Sequence, residues 1–134
     1  MTGWKLKRFW SEVSVDEVAD GFAVCLDSRR LRTPGKVPLA LPSRPLAEWI
    51  AAEWRDQSDE VRPNTMPATR TANSAVDKVT PQRAEVAGLL AAYGATDLLC
   101  YRADAPVALV RRQSEGWNPW LAWAERRFAA QLVP

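Results

Sequence analysis

"LALPSRPLAEWIAAEW", residues 39–54, is where the hydrophobic period of the chain changes. Before it, "LRTPGKVPLALP" (31–42) carries Pro34, Pro38 and Pro42. A proline has no N–H for a ladder, so a strand here lies at an edge or is broken by bends. From Ser43 onward the period is helical. Ser43 is a good N-cap, and Pro45 sits in the first turn, where its missing N–H costs nothing. Leu46, Trp49, Ile50 and Trp54 then follow at i, i+3, i+4 and i+8, an apolar stripe with Glu48, Arg55 and Asp56 off it. The switch predicts an α+β fold: a β-rich part over residues 1–42 and a mainly helical part over 43–134.

Toward the N-terminus the pattern is that of strands. "FWSEVSV" (9–15) mixes aromatic and β-branched residues with polar ones, and "GFAVCLD" (21–27) places Phe22, Val24 and Leu26 on one face by period-two alternation. Asp20-Gly21 and the polar "DSRR" (27–30) are turn signals. A small antiparallel β-meander fits these signals.

Toward the C-terminus the first helix fades by residues 56–60 and ends before Pro63. Pro67 opens a second, with Ala72, Ala75, Val76 and Val79 on one face. Thr80-Pro81 reads as the cap and first position of a third helix, whose buried face is Val86, Leu89, Leu90 and Tyr93 and whose C-terminal cap is Gly94. "TDLLCYR" (96–102), a short apolar run after a glycine, reads as a short additional strand. Asp104 and Pro106 open a helix to about Ser114, and Asn118-Pro119 opens the last. There Trp120, Trp123, Ala124 and Phe128 form an apolar stripe that stops unfinished. Either this helix packs back onto the body or the protein continues beyond this chain's end, and the second is the expectation.

Composition narrows the chemistry. The chain has 134 residues, 47% hydrophobic and 25% charged, ordinary values for a globular protein. No apolar run approaches the ~20 residues of a membrane helix, so no membrane insertion is expected. The basic "MTGWKLKRFW" start has no apolar core segment and reads as neither signal nor transit peptide. A net charge of +2 is too small to announce a polyanion partner. The one basic-aromatic cluster, "WKLKRFW" (4–10), is a weak nucleic-acid signal and reads more simply as the solvated face of an edge strand. Cys25 and Cys100 form no metal or redox motif, and both read as buried apolar thiols.

Histidine is absent, which removes the commonest general base and the commonest metal ligand. Neither phosphate-cradling glycine motif is present, and no cofactor or metal is expected. Carboxylate chemistry survives only if Asp77 and Asp97 share a cleft with Arg70 orienting an anion. The alternative is that Arg70 and Asp77 pair with neighbours and Asp97 braces the start of a strand.

"MPATRTANSAVDKV" (66–79) is the densest cluster of candidates. Small residues at Ala72, Ser74 and Ala75 allow close helix packing, while Arg70, Asn73 and Asp77 share one face at i, i+3 and i+7. That face is either an internal polar network locking helix to sheet or a surface that meets a partner. Trp54, on the stripe of the first helix, reads as core.

Taken in order, "EWRDQ" (53–57), "MPATRTANSAVD" (66–77) and "TDLLCYRA" (96–103) closely resemble the Atp-twelve family of ATP synthase assembly chaperones. "RFW" (8–10), "LRTPGKVPLALP" (31–42) and "WNPWLAW" (117–123) look like its remaining blocks, so the resemblance runs from about Arg8 to Phe128. It implies a non-enzymatic chaperone that binds the unassembled α subunit of the soluble catalytic sector and shields it until the β subunit takes its place. It further implies a β-rich part followed by a helical part. If the chain is such a chaperone, the candidate partner-binding residues are Trp54, Gln57, Met66, Arg70, Asn73 and Asp77. A bacterial, cytoplasmic, monomeric relative is expected; eukaryotic members work in the mitochondrial matrix. Two departures stand out. Family members usually continue into further helices, and Asn118 stands where an acid is usual, although Asn caps a helix about as well.

Overall fold

The computed structural model describes residues 6–134. Contacts divide the chain into two compact units, Met1–Arg83 and Ala84–Pro134.

The first unit opens as an antiparallel meander. β1 (Val13–Val18) pairs with β2 (Gly21–Leu26) in a register running from Val13 opposite Leu26 to Val18 opposite Gly21, and β3 (Arg29–Arg30) adds to the other side of β2. Val24 and Leu26 are buried and Phe22 packs at the margin of the core, as the alternation predicts. Gly21 lies at φ +132°, and a Cβ there would strike the carbonyl oxygen of Leu41, so the position requires glycine. After β3 the chain turns at Thr33–Lys36 and doubles back. Leu39 N–H donates to the Leu31 carbonyl at 3.0 Å, and Phe22 and Leu41 exchange two bonds of 2.9 Å. Because residues 39 and 41 bond inward, Pro38 and Pro42 fall at positions facing away from the sheet.

α1 (Arg44–Arg55) starts as expected, with Ser43 extended and its Oγ accepting from Leu46 N–H at 3.4 Å. Its buried face is Ala47, Ile50, Ala51, Glu53 and Trp54, which corrects the expected stripe: Trp49 is 60% exposed. Two alanines let α1 approach the sheet closely through positions i, i+3, i+4 and i+7, which turns Trp49 out of that face. Burial of a side chain such as Ile50 or Val24 contributes about 1.5–3 kcal/mol. Trp10 packs edge-on against Trp54 with ring centroids 5.1 Å apart. Arg8 is no solvated residue: its guanidinium donates to Gln57 O at 2.6 Å and Trp10 O at 3.2 Å. Trp4 and Lys5 of the basic-aromatic cluster lie outside the described residues.

α2 (Pro67–Ser74) runs into a wide π-helical turn, Ala75–Val79, and then a 3-10 turn, Thr80–Gln82. Thr80 is not a cap. It has helical dihedrals, and its N–H and Oγ1 both donate to the Ala75 carbonyl, the latter at 2.8 Å. Pro81 has no N–H to return to Asp77 O, and the widened turn absorbs that loss without ending the helix.

The second unit holds α3 (Arg83–Ala92, beginning at the boundary), a 3-10 turn at Tyr93–Thr96, and α4 (Val107–Phe128). The expected strand at 96–102 is not formed. Asp97 Oδ1 accepts from Leu99 N–H at 2.8 Å, while its carbonyl accepts from Cys100 and Tyr101 at 3.0 and 2.9 Å. A short aspartate side chain bonding its own backbone makes a turn where apolarity alone suggested a strand. Gly94 likewise sits inside the 3-10 turn and is not a cap. The two expected C-terminal helices are one: α4 begins after Pro106, without an Asp104 cap, and carries Pro119 in its interior. Asn118 caps nothing; its Oδ1 accepts from Arg102 at 3.1 Å, with the Arg102 guanidinium over the Trp117 ring. The expected buried face of α3 is exposed at Leu89, Leu90 and Tyr93, and no residue of 84–134 is buried. Apolar residues lie around much of α3, and no element of this unit covers them.

Candidate functional site

α1 and α2 leave a groove between them over the proline-flanked arm of the sheet. Its volume is about 440 Å³. Leu39, Ala40 and Leu41 form its floor, Leu46 and Trp49 one wall. The other wall is Ala68, Ala72, Ala75 and Val76, with Pro67 and Thr71 at the lip. Of the small residues that the sequence marked for close packing, Ala72 and Ala75 thus border open space on this side. The π turn extends the wall by setting Val76 beside Ala75.

The other face of the same helix is polar. Asp77 Oδ1 accepts from the Thr33 hydroxyl at 2.6 Å and Oδ2 from Gly35 N–H at 2.8 Å, so the carboxylate ties the helix to the 33–37 turn. A Cβ at Gly35 would come within 2.7 Å of Asp77 Oδ1. Thr33 Oγ1 also accepts from Val37 N–H at 3.2 Å, and the residue is buried. Arg70 and Asn73 share a cleft with Asp77 and Pro34, yet Arg70 makes no side-chain bond among the described residues and lies exposed.

The six candidates therefore separate. Trp54 is 9% exposed and Met66 2% exposed, both in the core. Gln57 is buried and engaged through both amide atoms: its Nε2 donates to Glu53 O at 2.9 Å and Thr65 Oγ1 at 3.1 Å, and its Oε1 accepts from Arg62 N–H at 2.6 Å. Asp77 is a tie, while Arg70 and Asn73 border open cleft. Asp77 and Asp97 belong to different units, each engaged locally.

Glu53 was not singled out by sequence reasoning. It is buried on α1, and its carboxylate accepts from Ala68 N–H at 2.7 Å, Thr69 N–H at 2.8 Å and the Thr69 hydroxyl at 2.6 Å. It caps α2 from a neighbouring helix, satisfying orphan donors with a charge placed at the positive end of the dipole. Met66, the residue at the N-cap position, has no side-chain oxygen for the task. An apolar residue before Pro67, with no Ser, Thr, Asp or Asn, was the available signal that the cap comes from elsewhere.

Other chemistry is sparse. Burial, and next the Asp16 carboxylate, push the Cys25 thiol above its ordinary range, leaving it a poor nucleophile at neutral pH. Among the described residues no group of three His, Cys, Asp or Glu could hold a metal, and no helix is long and apolar enough to cross a membrane. A larger hollow, about 510 Å³, is bordered by Leu6, Phe9, Trp54 and three arginines. Two of those cations are already engaged, Arg30 with Asp20 and the Leu39 carbonyl, Arg32 with Lys36 O.

The first unit thus presents a concave apolar groove walled by helices and edged by an exposed tryptophan. The family model described as ATP12 chaperone protein matches residues 7–125, and the chain belongs to that family, the Atp-twelve family of the sequence resemblance. The crystal structure of Atp12 from Paracoccus denitrificans is similar at 54% identity and a TM-score of 0.77, over 95% of this chain and 55% of that one. A mutant form of the same protein matches at 54% identity and a TM-score of 0.77, over 95% of this chain and 54% of that one. The Atu1473 protein of Agrobacterium tumefaciens matches at 41% identity and a TM-score of 0.73, over 96% of this chain and 48% of that one. This chain thus spans about half the length of these structures.

Proposed function

We propose that this protein is an ATP synthase assembly chaperone that binds the unassembled α subunit of the catalytic sector and shields it until the β subunit replaces it. The observation that carries the reading is membership of the ATP12 chaperone family over residues 7–125. The groove supports it, offering a concave apolar surface with Trp49 as a rigid anchor of the kind that dominates interface energetics. The action is one of binding, without catalysis, cofactor or metal, by a monomer in the bacterial cytoplasm. Of the candidate residues, Arg70 and Asn73 make partner contacts in this reading. Trp54, Gln57, Met66 and Asp77 act through the fold, by holding α1, α2 and the 33–37 turn in place.

Titration calorimetry of the purified chain against monomeric, nucleotide-free α subunit tests the reading, with β subunit and assembled complex as controls. Saturable binding to α alone is the expected result. Equal heats from all three proteins, or none from α with a chain that melts cooperatively, would overturn it.

A further inference from the structure

We infer that the hollow beside β3 receives an acidic segment of a polypeptide partner, its carboxylates pairing with Arg29 and Arg32 and one large apolar side chain seated on the floor. The inference rests on the reading of this protein as a chaperone, which makes the ligand a polypeptide. It adds the chemistry of the segment and the place where it is held.

The floor of the hollow is the edge of the core, where Leu26, Leu31 and Trp54 are each less than a tenth exposed. The rest of its apolar lining, Leu6 and Phe9, is more than half exposed. Apolar surface left open to water in a concavity gains by being covered. The volume, about 510 Å³, falls within the roughly 300–1,000 Å³ of ligand sites.

Charge chooses the occupant. Every ionisable residue lining the hollow is an arginine, Arg29, Arg30 or Arg32. Arg30 is a fixed cation, with Nε on the Leu39 carbonyl and Nη2 on Asp20. The other two keep their forks open. Arg29 is exposed and makes no hydrogen bond or ion pair among the described residues, and Arg32 spends only Nη1, on Lys36 O. Asp27, two residues before Arg29, is held by the Ser11 and Glu12 N–H groups. A guanidinium with a free fork binds a carboxylate bidentately, so a basic rim over an apolar floor selects an apolar anchor flanked by acids. Residues 1–5 carry a lysine and no acid, so charge does not select them. A nucleic-acid strand would need successive bases stacked on aromatic rings, and Phe9 is the one exposed aromatic lining this hollow.

The test is fluorescence anisotropy of the full 134-residue chain with three labelled 12-residue peptides in a Gly/Ser frame. One has a central Phe with two Glu on each side, one is its Lys-for-Glu twin, and one its Ala-for-Phe twin. The Glu-Phe peptide should bind at least tenfold more tightly than either twin. Arg29→Glu should weaken it at least tenfold with an unchanged melting curve, and Arg29→Glu with Arg32→Glu should make the Lys twin the preferred ligand. Arg112→Glu, the same charge change on α4, should shift binding less than twofold. Equal binding of either twin, no binding of the Glu-Phe peptide, or indifference to Arg29→Glu would overturn the inference. So would a loss as large with Arg112→Glu, or displacement by a twelve-nucleotide dT strand at lower concentration than by unlabelled Glu-Phe peptide. The α subunit is a separate arm. Its binding undiminished by the double variant would sink this inference and leave the chaperone reading standing; arginine-dependent peptide binding without α binding would do the reverse.

Discussion

Glu53 and Asp77 hold the two ends of one helical stretch to the rest of the first unit. Glu53 receives three donors at the start of α2, two of them backbone N–H groups with no intrahelical partner. Glu53→Ala would leave those donors buried and unpaired, at an expected cost of about 2–4 kcal/mol. Glu53→Gln keeps one carbonyl acceptor and should lose about half as much. Urea unfolding of the three proteins ranks them, and equal midpoints would refute the capping role. A third carboxylate, Asp27, gives the unit a pH dependence. It sits at φ +53° in the β2–β3 turn, and its Oδ1 accepts from Glu12 and Ser11 N–H at 2.9 and 3.0 Å. Those two bonds, Glu12 first, lower its pKa below the ordinary value. A depressed folded-state pKa means stability that is present above the ordinary Asp value of about 3.9 and is lost as pH falls through the lower folded value. Asp27→Asn keeps an acceptor and tolerates the positive φ, so it should flatten the acid limb of stability against pH and leave other limbs unchanged. An acid limb as steep as the wild type's would contradict the assignment.

Elements were legible where one local signal agreed with the tertiary demand. Phe22, Val24 and Leu26 predicted a strand face and occupy it; Ser43 and Pro45 predicted a helix start and make one. Misreadings arose where two signals competed. At Thr80-Pro81 and Asn118-Pro119, proline chemistry pointed to helix starts, but helical backbone runs through both. The π turn explains the first; at the second, Pro119 forgoes one bond to Glu115 O within a 22-residue helix that keeps the rest. At 96–102, apolarity pointed to a strand and the Asp97 side chain overrode it. Of the candidate site, the polar face of α2 was legible from spacing; the groove was not, because it depends on which way α1 rolls on the sheet. Pro119 carries its own prediction. Pro119→Ala restores an N–H and removes a ring from the helix interior, and should stabilise α4 by about 1–3 kcal/mol. Far-ultraviolet circular dichroism melts would show it as added helicity with a raised midpoint for the second unit. A lower midpoint would mean the proline's ring makes contacts that outweigh its backbone cost.

At the scale of the whole molecule, core and proposed binding groove share α1, and two tryptophans five residues apart divide the roles. Trp54 faces the sheet, 9% exposed and edge-on to Trp10, while Trp49 faces the groove, 60% exposed. In the proposed reading a change at either lowers partner binding, but by opposite routes. Trp54→Arg would bury a guanidinium in an apolar cluster whose residues offer no counter-charge, removing at least about 3–5 kcal/mol from a fold that has about 5–15 to lose. The variant should be largely unfolded or insoluble at 25 °C, with binding lost only because the folded state is. Trp49→Ala removes an exposed ring and should change stability by no more than about 1 kcal/mol. It should nevertheless weaken partner binding by tenfold or more, the equivalent of at least about 1.4 kcal/mol. Chemical denaturation and calorimetric titration of both variants decide the matter together. A soluble, cooperatively folded Trp54→Arg protein would remove Trp54 from the core, and undiminished binding by Trp49→Ala would move the partner's contact away from the groove. If both substitutions instead acted on stability alone, α1 would be purely a structural helix, and the partner surface would lie on α2's polar face, where Arg70 is exposed and unbonded among the described residues.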